Sequence, residues 1–130
     1  MKASELRIGN LIFTHKEEII VVKGIDTEGL ILFKEDQNIF DFKCKPIPLT
    51  EEWLINFGME YTDGFSSSRR LYFNNHEYDL SQVTYNEKEG LLRFSNGHPK
   101  GTSLIPHIKY VHQLQNLYFA LTGEELTIKD

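Results

Sequence analysis

Apolar residues recur at helical spacing between Ile108 and Thr122, and Gly123 follows directly. On a helix these apolar positions fall within an arc of about 120°. The arc consists of Tyr110, Val111, Leu114, Leu117, Tyr118 and Leu121. The pattern predicts a C-terminal helix whose apolar arc packs on a hydrophobic core.

The opposite side of this helix carries a second stripe without a charged residue. The stripe consists of His112, Gln115, Asn116 and Phe119, whose spacing places them in one continuous row. Because an exposed helix face normally carries Lys and Glu, we expect this row to be buried. Amide side chains suit such a place, since they satisfy buried backbone groups without burial of a charge. Three arrangements stay open: the N-terminal lobe covers the stripe, a second copy of the chain covers it, or it is a bare polar face.

The first part of the chain reads as short strands separated by turns. The predicted strands are Leu11–Phe13, Ile19–Ile25, Leu30–Phe33 and Ile39–Phe42. The second of these is apolar on both pleat faces, which predicts a central strand with both sides covered. So many short strands in so short a segment predict a small, curled SH3-like β-barrel, because a short sheet buries most surface by closing on itself.

A junction and a short helix follow the predicted barrel. Lys45-Pro-Ile-Pro48 interrupts the strand pattern, since each proline fixes φ and removes a backbone donor. The segment Leu49–Gly58 then predicts a helix with Thr50 as its N-cap and Gly58 as its left-handed end. Its buried stripe is predicted to contain Trp53, Leu54 and Phe57.

The period of two returns after Gly58 and predicts an antiparallel sheet of three or four strands. We expect Leu71–Phe73 to pair with Glu77–Leu80, and Gln82–Tyr85 to pair with Gly90–Ser95, as two hairpins. Leu104–His107 is interpreted as the lead into the C-terminal helix. The predicted fold class is α+β, with an SH3-like lobe over 1–45 and an α+β lobe over 46–130 that share the C-terminal helix as one compact unit.

Composition narrows the function classes. The formal net charge of −5 disfavours broad coating of nucleic acid. Cys44 is the single cysteine, so one chain forms neither an intramolecular disulfide nor a cysteine-based zinc cage. With no signal-peptide pattern and no long apolar run, we expect a cytoplasmic protein that does not cross a membrane.

The candidate catalytic and metal-binding residues form no recognisable motif. His107 and His112 lie on different sides of a helix, and no His-Glu-x-x-His pattern is present. His76 with Glu77 and Asp79 is better explained as a solvated hairpin edge than as a metal site. His98 is interpreted as an exposed loop residue. Flanking lysines favour a reactive thiol at Cys44, but a structural cysteine is the better interpretation without a base and an orienting partner.

One compact basic stretch offers a nucleic-acid hypothesis. Arg69 and Arg70 follow three serines, and Tyr72 with Phe73 provides aromatic rings for base stacking. Two charges contribute little affinity at physiological salt, so a hairpin solubilised by its edge charges is the simpler interpretation. No phosphate-binding glycine motif and no cofactor motif is present.

Three segments carry a resemblance to a known group of proteins. They are Glu5–Leu11, Pro46–Gly58 and Ile108–Leu126. In these segments the chain resembles a family of small proteins from phages, prophages and mobile elements of Bacteroides-type gut bacteria. That family has no assigned activity, so the resemblance implies a phage or mobile-element origin and no catalytic or binding residue.

These observations favour a non-enzymatic interaction or accessory protein that binds an unidentified protein partner or forms a homodimer. The stripe His112, Gln115, Asn116 and Phe119 is its candidate interaction site. Nucleic-acid binding through the barrel with Arg69, Arg70 and Tyr72 is the alternative. An enzyme ranks third and would require Cys44, His76 or Asp79 to meet in space.

Overall fold

The computed structural model describes residues 1–35, 37–61, 70–73, 83–86, 91–95, 102–105 and 108–128. These residues form a mixed α+β fold with antiparallel sheets and two α-helices. The chain divides into two compact units. The first contains Met1–Pro48 with Tyr110–Glu125, and the second contains Leu49–Lys109 with Leu126–Asp130. The C-terminal helix is thus grouped with the N-terminal strands.

Five strands of the first unit form two small sheets. They are β1 (Leu11–Phe13), β2 (Ile19–Val21), β3 (Gly24–Ile25), β4 (Leu30–Lys34) and β5 (Gln37–Phe40). Strands β1 and β2 pair as a hairpin, and β3, β4 and β5 form a three-stranded sheet in that order. 3₁₀ turns at Ala3–Glu5 and Asp41–Lys43 flank these strands. No closed barrel is found among the described residues.

The predicted central strand Ile19–Ile25 is interrupted. Val22 N donates to Asn10 O, but the next amide, that of Lys23, donates to Leu32 O. The chain therefore changes partner between β2 and β3. The prediction that both faces of this strand are covered is wrong, because Ile20 is buried whereas Ile19 is 53% exposed. In a two-stranded ribbon each face is buried only if other residues pack on it, and here only the face that carries Ile20 is buried.

The core of the first unit lies between the inner faces of these strands. It is a cluster of Leu6, Ile12, Ile20, Val22, Ile31 and Cys44, with Met1, Phe33 and Ile39 packed against it. Helix α2 (Val111–Thr122) contacts β1 and contributes the buried residues Val111 and Leu114. Gly123 ends the helix with φ of 75°, a left-handed conformation that glycine adopts without strain.

The second unit contains helix α1 and a five-stranded sheet. The elements are α1 (Glu51–Asn56), β6 (Met59–Tyr61), β7 (Arg70–Phe73), β8 (Val83–Asn86), β9 (Leu91–Ser95) and β10 (Thr102–Ile105). The sheet order is β10-β9-β8-β7-β6, and every pairing is antiparallel. The predicted number of three or four strands is therefore wrong, because Thr102–Ile105 pairs with β9.

One of the two predicted hairpins is confirmed, and the other involves a segment outside the described residues. Strands β8 and β9 pair as expected, with Tyr85 opposite Leu92. Strand β7 pairs with β6 on one edge and with β8 on the other. The predicted partner of Leu71–Phe73, Glu77–Leu80, lies outside the described residues.

Helix α1 confirms the predicted end signals. The Thr50 hydroxyl accepts a hydrogen bond from Trp53 N, at 3.3 Å, and Gly58 adopts φ of 96°. Leu54 and Phe57 are buried as predicted, whereas Trp53 is only partly buried. The Trp53 ring lies against that of Phe57, with centroids 5.7 Å apart. Its truncation therefore costs less than removal of a fully buried tryptophan.

Candidate interaction surface

The uncharged stripe of α2 is covered by the N-terminal part of the same chain. His112 and Gln115 are each 2% exposed. The residues that cover the stripe come from the loop Arg7–Asn10 and its neighbours, which precede β1. The expectation that the stripe is buried is confirmed for His112 and Gln115. Of the three arrangements left open, the structure has the one in which the N-terminal lobe of the same chain covers these residues.

Gln115 satisfies two backbone groups of this loop region. Its Oε1 accepts from Leu11 N at 2.8 Å, and its Nε2 donates to Gly9 O at 3.2 Å. A charged side chain would require desolvation at this place, whereas an amide supplies one donor and one acceptor without that cost. Gln115 therefore fixes the start of β1 against the helix.

Asn116 continues the same network. Its Oδ1 accepts from Asn10 Nδ2 at 2.8 Å, and its Nδ2 donates to Glu5 O at 3.3 Å. Asn10 is itself fully buried, and its Oδ1 accepts from Arg7 N at 2.7 Å. The two asparagines thus join α2 to Glu5 and to the loop Arg7–Asn10 by hydrogen bonds. We call Gln115 and Asn116 the amide stripe; it stabilises the packing of the helix on the N-terminal segment within the first unit.

Phe119 ends the stripe at the surface of this unit. It is 39% exposed, and the Arg7 guanidinium carbon lies 4.0 Å above the centre of its ring. Arg7 also forms a two-pronged ion pair with Glu125, with Nη1 to Oε1 at 2.7 Å and Nη2 to Oε2 at 3.2 Å. The cation–π contact and the bidentate geometry hold the residues after α2 against the loop.

His112 lies in an apolar setting. Its ring stacks on that of Tyr110, with centroids 6.0 Å apart, and its Nδ1 has no hydrogen-bond partner among the described residues. Burial lowers the pKa of His112, and the nearby Glu5 carboxylate acts in the opposite direction. The lowered pKa favours the neutral form of His112, and its ring packs beside that of Tyr110.

The structure supports the structural interpretation of Cys44. The thiol is buried in the core cluster, and its Sγ lies 3.7 Å from Phe40 O. Burial raises the pKa of Cys44, and the Asp41 carboxylate raises it further, so the flanking lysines do not activate the thiol. A protonated, inaccessible thiol does not serve as a nucleophile.

Six of the other candidate residues lie outside the described part of the chain. They are His76, Glu77, Asp79, His98, His107 and Arg69. Arg70 and Tyr72 lie in β7, opposite Asn86 and Thr84 of β8. The nucleic-acid and enzyme hypotheses for these residues stay predictions.

Within the part of the chain that is described, no three His, Cys, Asp or Glu residues gather in a metal-binding arrangement. None of the helices searched there is long and apolar enough to cross a bilayer.

An apolar surface on the three-stranded sheet was missed by sequence reasoning. Leu32, Phe40 and Phe42 are 42, 43 and 72% exposed, respectively. Directly paired residues share one face of a sheet, and Leu30 is paired with Phe40 while Leu32 is paired with Asn38. Phe40 also stacks on Phe42, with ring centroids 5.5 Å apart. We call Leu30, Leu32, Phe40 and Phe42 the outer apolar face.

A sequence signal for this face exists but is ambiguous. Phe40 and Phe42 alternate with polar residues, which indicates an amphipathic strand without saying whether the aromatic side faces the core. The structure ends β5 at Phe40 and begins a 3₁₀ turn at Asp41, which leaves Phe42 outside the sheet.

Comparison of the chain with protein-family models, with curated proteins and with solved structures gives no match.

Proposed function

We propose that this protein is a non-enzymatic, cytoplasmic accessory protein that binds another protein through the outer apolar face. The observation that carries the proposal is the stacked pair Phe40 and Phe42, which remains exposed to solvent. Clustered exposed aromatic residues are typical of protein-binding surfaces, because their burial on binding supplies most of the affinity.

The proposed partner is a different protein rather than a second copy. An isologous dimer brings the same surface of two chains together. The exposed residues Lys16 and Lys43 line the same depression as Phe40, so such a dimer would place like charges close to one another. Like-charge juxtaposition opposes association, which favours a partner with a complementary surface.

A phage or mobile-element origin is part of the proposal. It rests on the resemblance of three segments, and residues of two of them contact each other. Arg7 and Asn10 belong to the first segment, and their partners Glu125 and Asn116 belong to the last. The first and the last segment of the resemblance are therefore joined by direct contacts within the first unit.

We also propose an SH3-like course for the N-terminal strands. Supporting it, β1 pairs with β2, the chain continues from β2 into β3, and β3, β4 and β5 pair in that order. After the 3₁₀ turn, Phe13 and Lys45 exchange two backbone hydrogen bonds of 2.9 Å. The chain thus comes back to β1.

Quantitative affinity capture from infected or induced cells tests the proposed function. The bait is the full chain, compared with Phe40→Ser/Phe42→Ser and with Ile55→Ser, which changes an exposed apolar residue of α1. We expect one or more partners to be lost with the double variant and retained with Ile55→Ser. Equal capture by all three baits would contradict the proposal, as would a dimer in light scattering that dissociates in the double variant.

A gel-shift assay with labelled single- and double-stranded DNA tests the alternative. A salt-dependent shift that is lost in Arg69→Ala/Arg70→Ala would favour nucleic-acid binding over the proposed function. We expect no shift, given the net charge of −5.

A further inference from the structure

A cleft of about 440 Å³ opens beside β5 in the first unit. Its lining includes the partly buried apolar residues Leu30, Phe33 and Ile39. Its mouth contains the exposed residues Lys16 of the β1–β2 turn and Lys43 of the 3₁₀ turn. The cleft thus combines an apolar interior with a polar mouth, which is the usual composition of a binding site.

The backbone of β5 along this cleft has an open edge. In the three-stranded sheet β5 lies at the end and pairs only with β4 among the described strands. Asp41 N donates to Gly29 O, and the same register continues to the pair Ile31 and Ile39. Hydrogen-bonded and non-hydrogen-bonded pairs alternate along an antiparallel ladder. The backbone groups of Asn38 therefore point away from β4, towards the open edge.

The charge of the cleft differs in sign from that of the chain. Its ionisable lining residues are Lys16, Lys43 and Glu18, with His15 beside them. Two lysines and one glutamate give a formal charge of +1 when the histidine is neutral, whereas the whole chain carries −5. A local positive region on an acidic protein selects negatively charged partners and orients them on approach.

We propose that this cleft binds an extended, acidic segment of the partner protein by strand addition to β5. The inference rests on the proposed function and names the chemistry of the segment. Its backbone pairs with the outward groups of Asn38, its apolar side chains enter the cleft against Phe33 and Ile39, and its carboxylates face Lys16 and Lys43. Strand addition derives affinity from the backbone and specificity from alternate side chains.

A protein segment fits this place better than a nucleic acid. A nucleic-acid site needs a basic groove that follows several phosphates, and two lysines beside a glutamate do not provide one. The partly buried wall of Leu30, Phe33 and Ile39 accepts aliphatic or aromatic side chains. The open edge of β5 is complementary to a peptide backbone and not to a sugar-phosphate chain.

Fluorescence polarisation with designed peptides tests the proposal. The probe is a fluorescein-labelled peptide of about eight residues, the length of a β-strand, in which glutamate alternates with valine and phenylalanine. One comparison peptide carries lysine in place of glutamate, and another is N-methylated along the edge that would pair with β5. We expect the acidic peptide to bind and both comparison peptides to bind at least about tenfold more weakly.

Variants of the protein locate the binding. Lys16→Glu/Lys43→Glu should weaken binding of the acidic peptide by about tenfold or more. Lys2→Glu/Lys23→Glu makes the same change in net charge with exposed lysines that do not line the cleft, and should leave binding within about twofold. Asn38→Pro removes an outward backbone amide that would pair with the peptide, so it should also weaken binding. The variant should still fold, because proline is tolerated where an edge N–H faces solvent. Circular dichroism of each variant confirms that the fold is retained.

Several outcomes would overturn the inference. They are no saturation up to about 1 mM peptide, equal binding of the lysine peptide, equal loss in both lysine pairs, or binding of single-stranded DNA in place of the peptide. If the acidic peptide fails while cellular capture still depends on Phe40 and Phe42, the cleft chemistry is wrong and the proposed function stands. If capture is also insensitive to those residues, both proposals fail.

Discussion

The amide stripe of α2 and the outer apolar face of the first unit reverse the usual distribution of polarity. Gln115 is 2% exposed and Phe42 is 72% exposed. The buried amides are satisfied by named backbone and side-chain partners, whereas the exposed phenylalanines contact chiefly one another. Buried polar groups with complete hydrogen bonding specify one arrangement of the chain, while an exposed apolar group leaves free energy available for binding.

This difference separates residues that maintain the fold from residues that are free to act on a partner. The stripe His112, Gln115, Asn116 and Phe119 is unusual in sequence because the helix is enclosed on that side. The outer apolar face looks ordinary in sequence because every strand contains such residues. Substitutions in the two regions should therefore affect different measurements.

The largest loss of stability is expected from Gln115→Met. Methionine retains the volume but leaves Leu11 N and Gly9 O buried without the partners that Gln115 supplies. Each unsatisfied buried group costs about 1 to 3 kcal/mol, so the loss of both partners should lower the free energy of unfolding by about 2 to 6 kcal/mol. Urea denaturation measures the loss. Gln37→Met, at an exposed position of β5, is the control and should change stability by less than about 0.5 kcal/mol.

Gly9→Ala should destabilise the covering loop. Gly9 has φ of 99°, and a Cβ there would lie 3.3 Å from Glu125 Oε2, next to the ion pair with Arg7. A non-glycine residue at positive φ costs about 1 to 3 kcal/mol. Gly123→Ala is the matched comparison, because its φ is 75° and nothing lies within 4 Å of an added Cβ. If thermal denaturation shows Gly9→Ala to be no worse than Gly123→Ala, the proximity of Glu125 contributes nothing.

Phe119→Glu tests the surface end of the stripe. The change removes a partly buried ring and its contact with Arg7, so we expect a loss of about 1 kcal/mol. Because the N-terminal part of the chain covers the rest of the stripe, light scattering should give the same molar mass as the unchanged protein. Dissociation of a dimer in this variant would show instead that a second chain packs on the helix.

The stability of the first unit should depend on pH through His112. Its pKa is lowered by burial below the ordinary value of 6.5, so below pH 6.5 the unfolded state binds a proton more readily than the folded state. The free energy of unfolding therefore falls as pH decreases from 6.5 towards the folded-state pKa, and the contribution is fully present above 6.5. His112→Gln should flatten this part of the pH profile. An unchanged slope in His112→Gln would contradict the assignment.

The smallest effect on stability is expected on the outer apolar face. Phe42→Ser should change the free energy of unfolding by less than about 0.5 kcal/mol, because the ring is mostly in water. The same substitution, combined with Phe40→Ser, should abolish capture of the partner. A large loss of stability in Phe42→Ser would mean that this ring supports the fold, and the contrast between the two regions would disappear.

Local sequence determined those features whose cause lies within a few residues. Thr50 and Gly58 bound α1, Gly123 ends α2, and the short apolar run Leu30–Phe33 gives β4, because caps, left-handed glycines and apolar runs bounded by turns act at short range. The absence of charge on α2 indicated burial correctly for His112 and Gln115, since a buried charge is costly, but not for Phe119, which is 39% exposed.

Tertiary structure decided which of these elements meet. The residues that cover Gln115 and Asn116 lie more than one hundred positions earlier in the chain. Strand edges and helix faces are chosen by the total surface that they bury, which no short window contains. For the same reason, the sequence predicted that Phe40 and Phe42 lie in a strand, and only the tertiary structure shows that their side chains are exposed to solvent.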